Sequence, residues 1–464
     1  MKTYVPLPGR ACAAVLALLL AACSDGGGIT EPMPTPEPPA PLAAIACQAN
    51  VTEGRVQCAD AATGARADRT LGGQGLYVRL QSSNVLYTPA TGRFAFDLTV
   101  QNLLPQRMGS DGTVVTGVKV FFATNPNTTG GSGVVSVFNP DDIGTFTGTN
   151  QPYFLYPGAL PPQATTPAKR WELDVPTTVQ TFSFYLYVST PLVPTIVFDM
   201  WPGNNRDVYR MGIDGNDLLK LSTSALTDGS ATTADGKVVF TSYRNGNAEL
   251  YSAPLAGGTE TRLTSTAGID ETSPTLAPDG TRLAWTQGAV GGLTKVWTGS
   301  VKVAPGGSSW SIADAAQAVP GMADAIQASP DWADATTLAF TMAAASSADI
   351  WKVVPGNSPT VLVDGSTADV EPAWSPDGTR IAFASNRSGD TELYLYTVAT
   401  RAVTRLTTRT GSDGAPTWLK DGRIVFTCVT GIQFRLCMVD PANPGTITTI
   451  PTPYQAEHAS AVRF

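Results

Sequence analysis

The sequence predicts an all-β chain: a β-sandwich over residues 46–193, immunoglobulin-like in the broad sense, followed by a six-bladed β-propeller over residues 194–464. Three observations carry this. Glycine (45) and proline (36) are abundant while charged residues are only 15% of the chain, against about 25% in typical soluble proteins, which argues against helical bundles and coiled coils. Short runs rich in Val, Phe, Tyr and Thr alternate with Gly, Pro, Asn and Asp clusters, the pattern of strands and turns. Finally, one strand-like run recurs six times at the spacing of a propeller blade. At about 150 residues per domain, 464 residues make roughly three domains, or two if one is a large all-β unit.

The elements follow in chain order. Residues 1–22 carry Lys2 and Arg10 and then the apolar run ACAAVLALLLAA, the layout of a secretory signal too short to span a bilayer as a helix. Leu20-Ala21-Ala22-Cys23 is similar to the lipobox of bacterial lipoproteins, which implies that Cys23 is lipidated and begins the mature chain. Ser24 at the following position is similar to outer-membrane lipoproteins of Gram-negative hosts. Residues 23–45 form a Pro- and Gly-rich tether that cannot bury a core. The expected location is the cell envelope, as an outer-membrane lipoprotein facing the periplasm or the cell surface, with no membrane contact beyond the lipid. Four cysteines remain as two near pairs, Cys47 with Cys58 and Cys428 with Cys437, read as two local disulfides of an exported chain.

Between residues 46 and 193, runs such as RFAFDLTVQNL and GVKVFFAT read as seven or so short strands. Phe182, Phe184, Leu186 and Val188 alternate with Ser183, Tyr185, Tyr187 and Ser189, as in a strand with one buried face. Jelly-roll connectivity fits the same strands. Beyond Pro194, the runs TIVFDM, KVVFTS, RLAWTQ, TLAFTM, RIAFAS and RIVFTC place Phe198, Phe240, Trp285, Phe340, Phe383 and Phe426 at intervals of 42, 45, 55, 43 and 43 residues. Asp-Gly pairs recur at 235–236, 279–280, 377–378 and 421–422, where a tight hairpin needs glycine. The first unit lacks an innermost strand, and AEHASAVRF (456–464) reads as the missing one, closing the ring. The third unit carries about ten extra residues in GGLTKVWTGSVKVAPGGSSW.

The segments SPTLAPDGTRLAW (273–285), EPAWSPDGTRIAFASNRSGDTELY (371–394) and SYRNGNAELY (242–251) resemble the TolB-type propeller family. The resemblance implies a WD40-like propeller acting as a partner-recruiting periplasmic scaffold. That family usually carries an α/β N-terminal domain where this chain has its sandwich.

Sites of known chemistry are mostly missing from the sequence. With one histidine, His458, a two-His metal site and an HExxH helix are excluded, and any serine or cysteine triad would have to use that residue. There is no GxSxG, Walker A or dinucleotide glycine motif; TGGSG (129–133) reads as a loop, and GIDGNDLL (212–219) as a turn rather than a calcium loop. The net charge of −8 and the lack of a basic block argue against nucleic acid. One constellation recurs: Asp228, Glu271, Asp324, Asp369, Asp413 and Glu457 lie at intervals of 43, 53, 45, 44 and 44 residues, one per blade. They read as channel-mouth carboxylates that would bind a partner or a cation such as calcium, or else as solvated turn acids. The expectation is a monomeric, non-enzymatic protein whose propeller binds an envelope protein, peptide or glycan, without cofactor. The alternative is a carbohydrate-active enzyme, a polysaccharide lyase or hydrolase, using propeller carboxylates.

Overall fold

The computed structural model describes residues 44–59, 66–67, 70–71, 77–304, 309–322, 325–344 and 347–461. The expected signal, Cys23 and nearly all of the tether lie outside the described residues, as does Asp324. Every regular element described is a β-strand.

The N-terminal region has two antiparallel sheets. One orders the strands 142–144, 151–156, 118–122, 179–189, 45–50 and 55–58, with short strands added alongside; the other orders 78–88, 93–102, 169–174 and 136–137. Alternation places Phe94, Phe96 and Trp171 of the second sheet against Phe122, Phe154, Phe182 and Phe184 of the first, all fully buried. Phe154 stacks on Trp171 with centroids 4.0 Å apart, and Phe94 meets Phe182 edge-on at 5.4 Å. Cys47 and Cys58 sit directly opposite each other on neighbouring strands and are bonded, and Cys428 is bonded to Cys437.

From Thr195 onward come six four-stranded antiparallel sheets. We number them as blades 1 to 6, with innermost strands 455–461, 228–234, 269–276, 326–332, 369–374 and 412–418. Each innermost strand touches the next around the set, and 455–461 touches both 228–234 and 412–418. Blade 1 takes this strand from far along the chain: Ile196 pairs with Ala461, Asp199 with Glu457 and Trp201 with Gln455. The repeating aromatics lie on the second strand of each blade, where Phe240 faces Tyr251 and Phe383 faces Tyr394. At Asp235-Gly236 both residues have positive φ (48° and 72°), the turn that matches strand twist in a two-residue hairpin. The extra length in blade 3 goes into its outer strands, 294–303 and 310–317.

The turn after strand 207–212 ties the propeller to the N-terminal region, because Asp217 receives both Nε and Nη2 of Arg107 at 3.1 and 2.8 Å. Arg210 adds a bond to the carbonyl of Pro105 at 3.1 Å.

Candidate functional site

Each innermost strand breaks its ladder with a bulge at the same level, and the bulged residue adopts a left-handed conformation: Ser230, Ser273, Ser329, Glu371, Ala415 and His458, with φ between 47° and 56°. Such a conformation costs a non-glycine residue on the order of 1 kcal/mol or more, so six in phase need compensating contacts. In four blades the next residue is proline (274, 330, 372, 416), whose missing N–H suits a place where the ladder has no acceptor to offer. The bulges turn three residues per strand toward a central cavity of about 190 Å³. Its charged lining residues are Asp331, Glu371 and His458; the other side chains are serine, threonine, alanine and proline.

Bonds from blade to blade hold the bulges. The amide of Glu371 donates to Thr341 Oγ1 at 3.1 Å, that of His458 to Thr427 Oγ1 at 3.0 Å, and that of Ser230 to Asp199 Oδ2 at 2.9 Å. Each acceptor follows the repeating aromatic of the preceding blade. Blade 5 has Ala384 there, with no oxygen to offer, and the amide of Ala415 instead donates to Glu371 Oε2 at 2.6 Å. Asp331 accepts the amide of Trp374 at 2.7 Å and the hydroxyl of Thr275 at 3.3 Å. Both carboxylates on the cavity are therefore committed to the scaffold.

His458 stands over a charged cluster. Its Nδ1 lies 3.2 Å from Asp199 Oδ2 and 3.2 Å from Glu457 Oε1, and Arg206 Nη1 lies 2.9 Å from the same Glu457 oxygen. Burial works against the imidazolium, but hydrogen bonds and charge from Asp199 and Glu457 outweigh it and push the pKa up to about 10. For Glu457, burial likewise opposes ionisation, and His458 with Arg206 holds its pKa below the usual value. The spacing of Asp199, Glu457 and His458 would suit a metal ion, yet Arg206 and the imidazolium already supply the positive charge.

The periodic carboxylates predicted at the channel mouth do not line the cavity. Asp228, Asp369 and Asp413 are fully buried, Glu271 and Glu457 nearly so, and none of the five borders the cavity. For Asp228, Glu271, Asp369 and Asp413 the physical reason is their position two residues before the left-handed residue, still in the regular ladder and off the cavity, whereas Glu457 stands one residue before His458 and turns to Arg206. Four are paired with arginine: Asp228 with Arg244 at 3.3 Å, Asp369 with Arg387 at 2.7 Å, Asp413 with Arg409 at 2.6 Å, and Glu457 with Arg206 at 2.9 Å. Ser385 also donates to Asp369 at 2.5 Å. Burial raises the pKa values of Asp228 and Asp413 despite these partners. Among the described residues no arginine pairs with Glu271; burial, and next the charge of Glu249, push it up to about 7. In blade 4 the equivalent position is Gln327, fully buried, and in blade 1 it is Ala456, one residue before Glu457. A tighter pattern in the sequence would have found this: Glu271, Gln327, Asp369 and Asp413 each stand three residues before a proline. The Ser-x-Arg tripeptides at 242–244 and 385–387 likewise mark the arginine partners in blades 2 and 5.

Comparison with known proteins agrees with the repeats. A family model described as the TolB beta propeller domain matches residues 311–453. A "Protein TolB homolog" of Chlorobium luteolum is 32% identical over 188 residues, 40% of this chain and 38% of that protein. A "Tol-Pal system protein TolB" of Alcanivorax borkumensis is 32% identical over 69 residues, 15% of this chain and 16% of that protein. The match thus spans well under half of these relatives' length. Among solved structures, TolB from Acinetobacter baumannii superposes with a TM-score of 0.49 at 18% identity, covering 58% of this chain and 66% of that one. A putative TolB from Agrobacterium tumefaciens gives 0.44 at 16% identity, covering 57% and 90%. The repeats, the six like sheets and the sequence matches together identify the chain as a TolB-like β-propeller protein.

Proposed function

We propose that this is a non-enzymatic binding protein of the cell envelope, a monomer that presents the cavity face of a closed six-bladed propeller to an envelope protein, peptide or glycan. The observation that carries the reading is the lining of the cavity: small hydroxylated and proline residues on bulged strands, with both acids bonded to backbone amides. Such a surface offers hydrogen bonds to a partner's backbone or hydroxyls at little cost in side-chain order. His458 supports the same reading, because an imidazole with a pKa of about 10 is protonated at neutral pH and cannot accept a proton from a serine across the cavity. The two disulfides fit an oxidising compartment, and the lipobox-like Leu20–Cys23 fits a lipid anchor in the outer membrane.

The test uses the chain from residue 24 onward as bait in envelope extract, beside a Ser273→Trp variant that fills the cavity. Retention of a partner by the wild type and its loss from an equally stable variant is the expected result. Equal capture by both would overturn the cavity reading. Release of reducing or unsaturated ends from envelope polysaccharide would instead support the carbohydrate-active alternative.

A further inference from the structure

Two of the connections between blades are built from nearly the same sequence. Between blades 5 and 6 it is Arg405-Leu406-Thr407-Thr408-Arg409; between blades 2 and 3 it is Arg262-Leu263-Thr264-Ser265-Thr266. Each crosses a buried pair of acids, Glu392 with Asp413 in the first and Glu249 with Glu271 in the second, and all four are 0 or 1% exposed.

At the first junction two arginines meet two acids. Arg405 Nη2 lies 2.7 Å from Glu392 Oε1 and Arg409 Nη1 lies 2.6 Å from Asp413 Oδ1, while Thr407 donates its hydroxyl to Glu392 Oε2 at 2.5 Å. At the second junction Arg262 reaches Glu249 Oε1 at 2.8 Å, but threonine stands where Arg409 would be. The one arginine at this pair of carboxylates contacts Glu249. Glu271 is held beside Glu249 because its amide donates to the carbonyl of Ala248 at 2.9 Å. Among the described residues Glu249 Oε2 and Glu271 Oε2 are both buried and have no hydrogen-bond partner, against Asp413 Oδ2 alone at the first junction.

Other oxygens gather at the same place. The amide nitrogen of Asn247 sits among Glu249 Oε1 at 3.1 Å, the Thr266 carbonyl at 3.1 Å and the Ile269 carbonyl at 2.5 Å. Asp270 Oδ1 accepts the amide of Ala248 at 2.8 Å. Thr266 itself is exposed, so the pair lies just under the surface. A set of carboxylate and carbonyl oxygens with an uncompensated negative charge is the donor set of a hard divalent cation, and calcium tolerates its irregular geometry best.

We propose that the junction of blades 2 and 3 binds a calcium-class cation through Glu249 and Glu271, in the place that the Arg409 guanidinium takes at the junction of blades 5 and 6. One junction is closed by a residue and the other by an ion. The two are alternative solutions to the same buried charge.

The test is calorimetry and thermal melting of the intact exported chain, stripped with EDTA and titrated with calcium chloride or magnesium chloride. Wild type should bind one calcium per chain and melt roughly 2–4 °C higher when calcium is a hundredfold above its Kd. Glu271→Gln should weaken calcium binding at least about tenfold. Thr266→Arg should supply the missing guanidinium, melt without calcium as the loaded wild type does, and give no binding heat. If Thr266→Arg fails to fold, Glu271→Gln still decides the matter. No calcium response in the wild type would mean that a shared proton alone settles the pair. A response unchanged by Glu271→Gln but lost in Asp199→Asn would place the ion at the cavity cluster. Either result overturns the proposal.

Discussion

Replacing His458 by alanine should cost stability in a way that depends on pH. The side chain is the cation between Asp199, which is fully buried, and Glu457; without it Asp199 keeps the Ser230 amide and, as a charged partner, Arg206 3.6 Å away. Raising an imidazole from 6.5 to about 10 is equivalent to roughly 5 kcal/mol at about 1.4 kcal/mol per pH unit. Because 38% of the side chain is exposed, solvent screening reduces this, and a loss of about 2 kcal/mol is expected. The folded-state pKa lies above the unfolded one, so the contribution is complete below pH 6.5 and is lost as pH rises through about 10. Urea denaturation of wild type and His458→Ala at pH 6 and at about pH 10.5 would measure it, the comparison cancelling every other group that titrates in both. The gap should be about 2 kcal/mol at the lower pH and nearly vanish at the higher. A gap of the same size at both would refute the ionic account and leave only lost packing.

Three further outcomes are expected. Deleting residues 456–464 should strip blade 1 of its innermost strand and lower the melting temperature far more than removal of a frayed tail would; an unchanged transition would disprove closure. Arg387→Met should destabilise by about 3 kcal/mol because it leaves buried Asp369 with Ser385 alone, and adding Asp369→Asn should recover most of the loss. A double-mutant coupling below about 0.5 kcal/mol would show that the pair does not matter. Cys23→Ser should abolish lipid attachment, and palmitate labelling of the variant that persists would contradict the anchor.

The parts of the fold that repeat were legible, and those that depend on partners distant in sequence were not. Phe240, Trp285, Phe340, Phe383 and Phe426 could be stacked because each blade must fill the same wedge, and Asp235-Gly236 could be placed because few dipeptides accept that turn. The acids were found with the right period and the wrong surroundings. The positions equivalent to the other acids are Gln327 in blade 4, not Asp324, and Ala456 in blade 1, not Glu457, because counting back from a strand ignores the bulge that fixes which residue points where. The partners of the acids repeat only in part: Arg206, Arg244 and Arg387 sit at the connection between a blade's second and third strands, whereas Arg409 comes from the preceding connection, and Arg206 lies some 250 residues before Glu457. Period alone therefore could not distinguish an exposed carboxylate from a neutralised one. The cavity cluster depended on Asp199, which occupies a place that threonine holds in four other blades, and a single departure leaves no periodic signal.

The pairing of strand 195–201 with a strand roughly 260 residues later also sets an order of events during biosynthesis. Blades 2 to 6, each made from one local stretch, can form as soon as that stretch is available. Blade 1 cannot, and until residue 455 has been made its strand Thr195–Trp201, apolar and meant to be enclosed, has one edge without a neighbour. Closure is therefore a late step of high contact order, and a product that stops short of residue 455 keeps an edge open to proteases and to edges like its own. Only a chain that includes residues 455–461 can hide that edge.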